Sequence, residues 1–197
     1  MNAPLRDENV LRATILTHAA RLFAEQGYSA TSIRQVTDAC ECTKPALYYY
    51  FKSKEALFAE LISIEVVAVS RLTERLLDAP GNIRERLRNT IDAFVDRFER
   101  DPLGMQLMQR IEMNVEEGMP TIECPCGQEM HLGALEELVR QGIARGELKA
   151  DLDVETAALL LTGATRFHFQ RAMAGHPLSR KKLFTTVELI LDGIGIQ

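Results

Sequence analysis

The run Thr43-Lys44-Pro45-Ala46-Leu47-Tyr48-Tyr49-Tyr50-Phe51 carries the residue types best suited to act on a partner. Read as a short helix, it turns Leu47, Tyr50 and Phe51 inward and leaves Thr43, Lys44, Pro45, Ala46, Tyr48 and Tyr49 free. That free flank suits duplex DNA. Thr43 and the first helix amides can hold a phosphate. Lys44 can reach a phosphate or a guanine edge, and Pro45 and Ala46 can meet a thymine methyl. Tyr48 and Tyr49 offer hydroxyls at little cost in rotamer freedom. Lys54 stands at the next helix start, beside a second set of amides. Thr31, Ser32 and Arg34, at the start of the preceding helix, join this DNA-facing set.

Such a helix needs a brace. The chain predicts a first helix over about Asp7–Gln26, with Leu11, Ile15, Ala19, Leu22 and Phe23 on one stripe and Gly27 ending it. A second helix follows Thr31, read as its cap, and buries Ile33, Val36 and Cys40. A break falls at Glu41-Cys42. Thr43 caps the third helix, and Pro45 is tolerated in its first turn. A bracing helix, a turn and a free helix make a helix-turn-helix.

The remaining pattern is also helical. A fourth helix runs from Ser53 to about Leu77, and Ala79-Pro80-Gly81-Asn82 breaks it. Five more follow: one ending at Asp101-Pro102, then about Leu103–Glu116, Gln128–Arg145, Asp153 (a cap) to about Ala174, and Ser179–Ile194. The expected fold is therefore all-α, with about nine helices. A DNA-binding domain is expected over 8–53, and a helical dimerisation and ligand-binding domain over 54–197.

Composition agrees. Hydrophobic residues make up 46% of the 197, which excludes disorder, and there is no tryptophan. The net charge of −5 argues at first against nucleic acid, but residues 1–54 hold seven Lys/Arg against five Asp/Glu, a local +2 that leaves −7 elsewhere. The opening MNAPLRDEN carries acid and no apolar run, unlike a secretory signal. No apolar stretch reaches the roughly 18 residues of a membrane span. A cytoplasmic protein without a membrane partner is expected.

Arg12 to Leu57 resembles the N-terminal domain of the tetracycline-repressor (TetR) family of bacterial regulators. The resemblance rests on Ile15-Leu16, Ala19-Ala20, Leu22-Phe23, Gly27-Tyr28, Thr31-Ser32-Ile33, Val36, Ala39, Thr43 to Phe51 and Lys52-Ser53-Lys54-Glu55. It covers about a quarter of the chain; the rest is similar in length and helix pattern. It implies a repressor that binds DNA as a homodimer through its last two helices and is released by a small-molecule effector. No cofactor and no bound metal is expected. One departure stands out. The family usually has Gly, then an apolar residue, where this chain has Glu41-Cys42. Glycine there suits a positive φ, and Glu41 also brings negative charge toward DNA.

Ala157, Leu161 and Ala164 on the eighth helix, with Leu183, Val187, Ile190, Leu191 and Ile194 on the ninth, form apolar stripes suited to a four-helix bundle between two copies. The alternative is that they close the chain's own core. A dimer would match a pseudo-palindromic operator with half-sites about one turn apart, roughly 34–36 Å. Phe94, Phe98, Met105, Met108, Met113, His131, Phe167 and His168 are candidates to line an adaptable effector pocket, or ordinary core.

Four cysteines fall in two close pairs, Cys40/Cys42 and Cys124/Cys126. A thiol- or metal-responsive regulator using Cys124, Cys126 and Cys42 is the alternative reading, with His131 as a further soft ligand. No nucleophile elbow, phosphate loop or H-E-x-x-H is present, and the four histidines are scattered, so no catalytic residue and no enzyme is expected.

Overall fold

A computed structural model describes the backbone of residues 4–112, 118–120 and 127–194, and the side chains of residues 9–111, 118–120 and 131–193. Nine helices and no strand occur among the described residues: α1 (Pro4–Gln26), α2 (Ile33–Ala39), α3 (Lys44–Tyr50), α4 (Lys54–Asp78), α5 (Ile83–Arg100), α6 (Pro102–Glu112), α7 (Gly127–Ala144), α8 (Val154–Met173) and α9 (Arg180–Ile194). The all-α expectation holds. Met113, Cys124 and Cys126 lie outside the described residues.

The chain divides into two compact units: Met1–Val66 with Leu103–Cys124, and Val67–Pro102 with Pro125–Gln197. The first unit is thus larger than the expected 8–53. It takes in the start of α4 and α6 from Leu103 onward, because its core needs them. Ile15, Ala19 and Phe23 of α1 pack with Tyr28, Val36, Leu47 and Phe51, and Leu57, Phe58, Leu61 and Ile62 of α4 and Leu107 and Met108 of α6 complete the cluster. Met108 therefore fills the first unit's core instead of lining a pocket in the second. Arg110 of α6 ties back to α1 by donating from Nε to the Ala24 carbonyl (3.0 Å).

In the second unit α5 supplies the most clearly amphipathic face. Asn82 caps it by accepting from the Glu85 amide, and the Asn82 amide donates to Glu85 Oε2 (3.0 Å), a reciprocal capping box. Its buried face carries Ile83, Leu87, Ile91 and Val95. Arg86, 1% exposed, is the largest enclosed polar side chain among the described residues. Its Nε donates to the Leu76 carbonyl (3.0 Å), one Nη to the Leu77 carbonyl and the other to Gln141 Oε1 (2.9 Å). The last carbonyls of α4, left without helical donors, are satisfied this way. Burial lowers the guanidinium's pKa from its usual value, but the three acceptors hold it.

On α8 and α9 the stripes expected to meet a second copy are already covered. Ala157, Leu161, Leu183, Val187 and Leu191 are buried within this one chain, packed where α8 meets α7 and α9. They close the second unit's own core. Ala164 and Ile190 are half-buried, and the side chain of Ile194 lies outside the described ones. The apolar surface left free is a different one: Leu159, Leu160 and Phe167 on α8 and Leu189 on α9, the last two 58% and 68% exposed.

The Arg86→Met variant keeps the side chain's bulk and removes its donors. We expect it to lose about 2 kcal/mol, because the buried Leu76 carbonyl is left unpaired and the part-buried Leu77 carbonyl and Gln141 amide each lose a donor. Urea unfolding checks this; a loss under about 0.5 kcal/mol would mean that water replaces the guanidinium.

Candidate nucleic-acid interface

The candidate interface is built from α2, a four-residue turn and α3. Ser32, not Thr31, caps α2: its Oγ accepts from the Gln35 amide (3.2 Å), and its own amide donates to Gln35 Oε1 (2.7 Å). Thr31 is only 1% exposed, and its hydroxyl donates to the Gly27 carbonyl (2.7 Å). It is therefore withdrawn from the expected DNA-facing set, because it holds the α1–α2 turn. Ser32 and Arg34 are exposed, Arg34 lying 3.6 Å from Asp38.

The turn closes through the Cys42 amide, which donates to the Thr37 carbonyl (3.0 Å). Glu41 takes φ +52°, alone among the described non-glycine residues in the left-handed region. This is the conformation that the glycine usual at this position in the family would adopt without strain. Thr43 then caps α3 by accepting from the Ala46 amide (3.3 Å), and Pro45 sits in the first turn. Leu47 is fully buried and Phe51 nearly so. On the opposite flank Thr43, Lys44, Pro45, Tyr48 and Tyr49 are exposed, Tyr49 at 73%, and Ala46 is half-exposed. Tyr50, expected inward, is half-buried and meets the Tyr49 ring edge-on at 5.0 Å.

Two supports brace this face from behind. The buried Tyr28 ring stacks on Phe23 (5.7 Å) and meets Phe58 (4.9 Å). Lys54 Nζ lies 4.1 Å from the same ring's centroid. The Tyr28 hydroxyl donates to Glu55 (2.9 Å), and burial, then that bond, raises its pKa above the usual phenol range. Glu55 is held below the usual carboxylate range by bonds from Ser53, its backbone and Tyr28. Tyr28 thus steadies the cation at the start of α4; an aromatic directly after Gly27 was the signal. The second support is Arg12, which stacks over Phe51 (5.5 Å) and pairs with Glu60.

Chemistry other than binding finds little here. Cys40 and Cys42 are free, half-buried thiols. Burial and the neighbouring Cys42 push the Cys40 pKa up to about 11, and burial raises Cys42 as well. Both stay protonated at neutral pH and are poor nucleophiles. Among the described residues no group of three or more His, Cys, Asp or Glu could hold a metal ion. The thiol- or metal-responsive reading gains no support from them.

The residues proposed for an effector do not all meet. Met105 and Met108 belong to the first unit. Phe167 points away from the second unit's interior. His168 shares a hydrogen bond with Thr186 of α9 (3.0 Å), and burial, then Arg171 and Lys182, lower its pKa. Phe94 and His131 do come together, edge to face at 5.4 Å.

A braced, capped helix with a basic and tyrosine-bearing outer flank defines a helix-turn-helix DNA-binding protein. Residues 15–61 match the model of the bacterial regulatory proteins of the tetR family. Over 189 residues the chain is 25% identical to the transcriptional repressor KstR2 of Mycobacterium tuberculosis, covering 94% of each. It is 31% identical over 103 residues to the transcriptional activator FasR of Mycolicibacterium smegmatis, a match spanning 52% of this chain and 46% of that one. The fold is similar to that of SmeT, the repressor of a Stenotrophomonas maltophilia multidrug efflux pump (TM-score 0.74, 20% identity, 94% and 91% of the two chains). Residues 15–61 thus carry a DNA-binding domain of the tetR-family type, and over nearly its whole length the chain is similar to transcriptional regulators, proteins that are not enzymes. No helix among the described residues is long and apolar enough to cross a membrane.

Glu41→Gly should stabilise the protein by about 1 kcal/mol, by relieving the left-handed backbone, and should tighten DNA binding by removing a negative charge from the turn. Thermal melting and an anisotropy titration check both; unchanged or weaker affinity would reject the electrostatic part.

Proposed function

We propose that this chain is a cytoplasmic repressor that binds a pseudo-palindromic operator as a homodimer and releases it when a small effector enters the second unit. The observation that carries the reading is the split character of α3. Leu47 is fully enclosed, while Lys44, Tyr48 and Tyr49 on the same seven-residue helix stand in solvent. The DNA set proposed is Ser32, Arg34, Thr43, Lys44, Pro45, Ala46, Tyr48, Tyr49 and Lys54. Similarity to KstR2 and SmeT, both named repressors, supports the sign of regulation.

The exposed Leu159, Leu160, Phe167 and Leu189 support dimerisation. They are large apolar side chains on the last two helices, and Gly163 between Leu160 and Phe167 has open space above it. Such a patch on a soluble chain marks an interaction surface, and two copies related by a two-fold axis would bury it mutually. An effector coupled to DNA release by the usual 1–3 kcal/mol would weaken operator binding about 5–150-fold.

Binding should fall steeply with salt. Lys44→Ala should weaken it, and a phosphate-contacting Lys44 would lower the log–log salt slope by about 1. An unchanged affinity and slope would remove Lys44 from the interface. Leu160→Glu combined with Phe167→Glu should convert a dimer to a monomer by sedimentation at micromolar concentration; a monomeric parent chain would contradict the dimer outright.

A further inference from the structure

Among the described residues of the second unit, the enclosed polar atoms without a hydrogen-bond partner include one on His131 and one on Thr162. Nδ1 of His131 on α7 and Oγ1 of Thr162 on α8 are shut off from solvent and lack a hydrogen-bond partner among the described residues. Buried donors and acceptors are almost always paired, so each of these calls for a partner.

Thr162 differs from other threonines of its unit. Thr73, Thr90 and Thr165 each donate to the carbonyl four residues back. Thr162, within the same helix as Thr165, is buried without that bond. The His131 ring keeps some exposure, but its Nδ1 has none. Phe94 meets it edge-on, and further along α5 Phe98 meets Phe169 of α8 in the same way at 5.7 Å. Aromatic walls with a few unsatisfied polar atoms are the composition of a small-molecule site.

The charge at this site follows from burial. It pushes the imidazole down to about 4, so His131 is neutral at neutral pH and brings no positive charge to offset a buried anion. Arg97, one turn from Phe94, also has an enclosed Nε, and the residue makes other interactions.

We infer that α5, α7 and α8 hold a neutral, mainly apolar effector whose hydroxyl or carbonyl group bonds to His131 and Thr162. The inference rests on the effector reading above and adds the ligand's chemical class.

Three ten-carbon probes that differ only in the head group test it: 2-decanone, decanoate and decylammonium, titrated by calorimetry into the full chain without DNA. The ketone should bind about tenfold or more tightly than either charged probe, since an unpaired charge is costly to bury. Thr162→Val keeps the shape and removes the hydroxyl. It should weaken ketone binding about threefold to tenfold, and raise the melting temperature of the ligand-free protein by about 2–4 °C. His131→Phe should act in the same two directions. A carboxylate that binds more tightly than the ketone, a ketone that does not bind, or a Thr162→Val protein with lower melting temperature and unchanged ketone affinity would each overturn the inference. Ketone binding that behaves as expected but leaves operator affinity untouched would support the ligand class and contradict effector release instead.

Discussion

The burial of Leu47 and Phe51 is the constraint on which the reading depends. A seven-residue helix cannot hold itself in water, where fewer than about 12–15 residues are marginal even for good formers. Here α3 is held by its floor. Leu47 and Phe51 enter a cluster with Phe23, Tyr28 and Phe58, and each such side chain contributes about 1.5–3 kcal/mol on burial. Thr43 closes the other end by capping. Only with that floor in place do Lys44, Tyr48 and Tyr49 have a fixed direction.

The same core explains how an acidic chain can address an acidic polymer. The positive charge is placed by packing, not by abundance. Lys54 rests on the Tyr28 ring, Arg12 lies over Phe51, and Lys44 stands at the start of α3. The excess acid lies elsewhere, much of it tied up within the second unit. Arg180 pairs with Asp92, Asp96 and Glu99, and Arg84 with Glu188 and Asp192. α4 contributes residues to both units, and Arg86 clamps its last carbonyls.

Much of this was legible in the amino-acid sequence, and the failures have physical causes. The caps at Thr43 and Asp153, the break at Ala79 to Asn82 and the inward Leu47 follow from side-chain chemistry and helical spacing, and the structure has them. Thr31 was misplaced by one residue: two adjacent hydroxyls look alike until backbone angles give Ser32 the cap and Thr31 the turn. Ala157, Leu161, Leu183, Val187 and Leu191 of the α8 and α9 stripes are buried by their own chain, because periodicity identifies a buried face but not the chain that buries it. α8 is apolar nearly all round at Ala157 to Leu161, so Leu159 and Leu160 gave no periodic signal. Met108 was grouped with the second unit, but it lies in a core cluster with residues of α1 and α4, far away in sequence. The Glu41 strain was legible only through the family's glycine.

The most direct test is chemical protection of guanine N7 on operator DNA selected from a random pool. N7 lies in the major groove. If α3 enters that groove from both copies of a dimer, methylation should be blocked in two patches about one helical turn or a multiple apart. Protection at one patch only, or an unprotected major groove despite tight binding, would contradict the account.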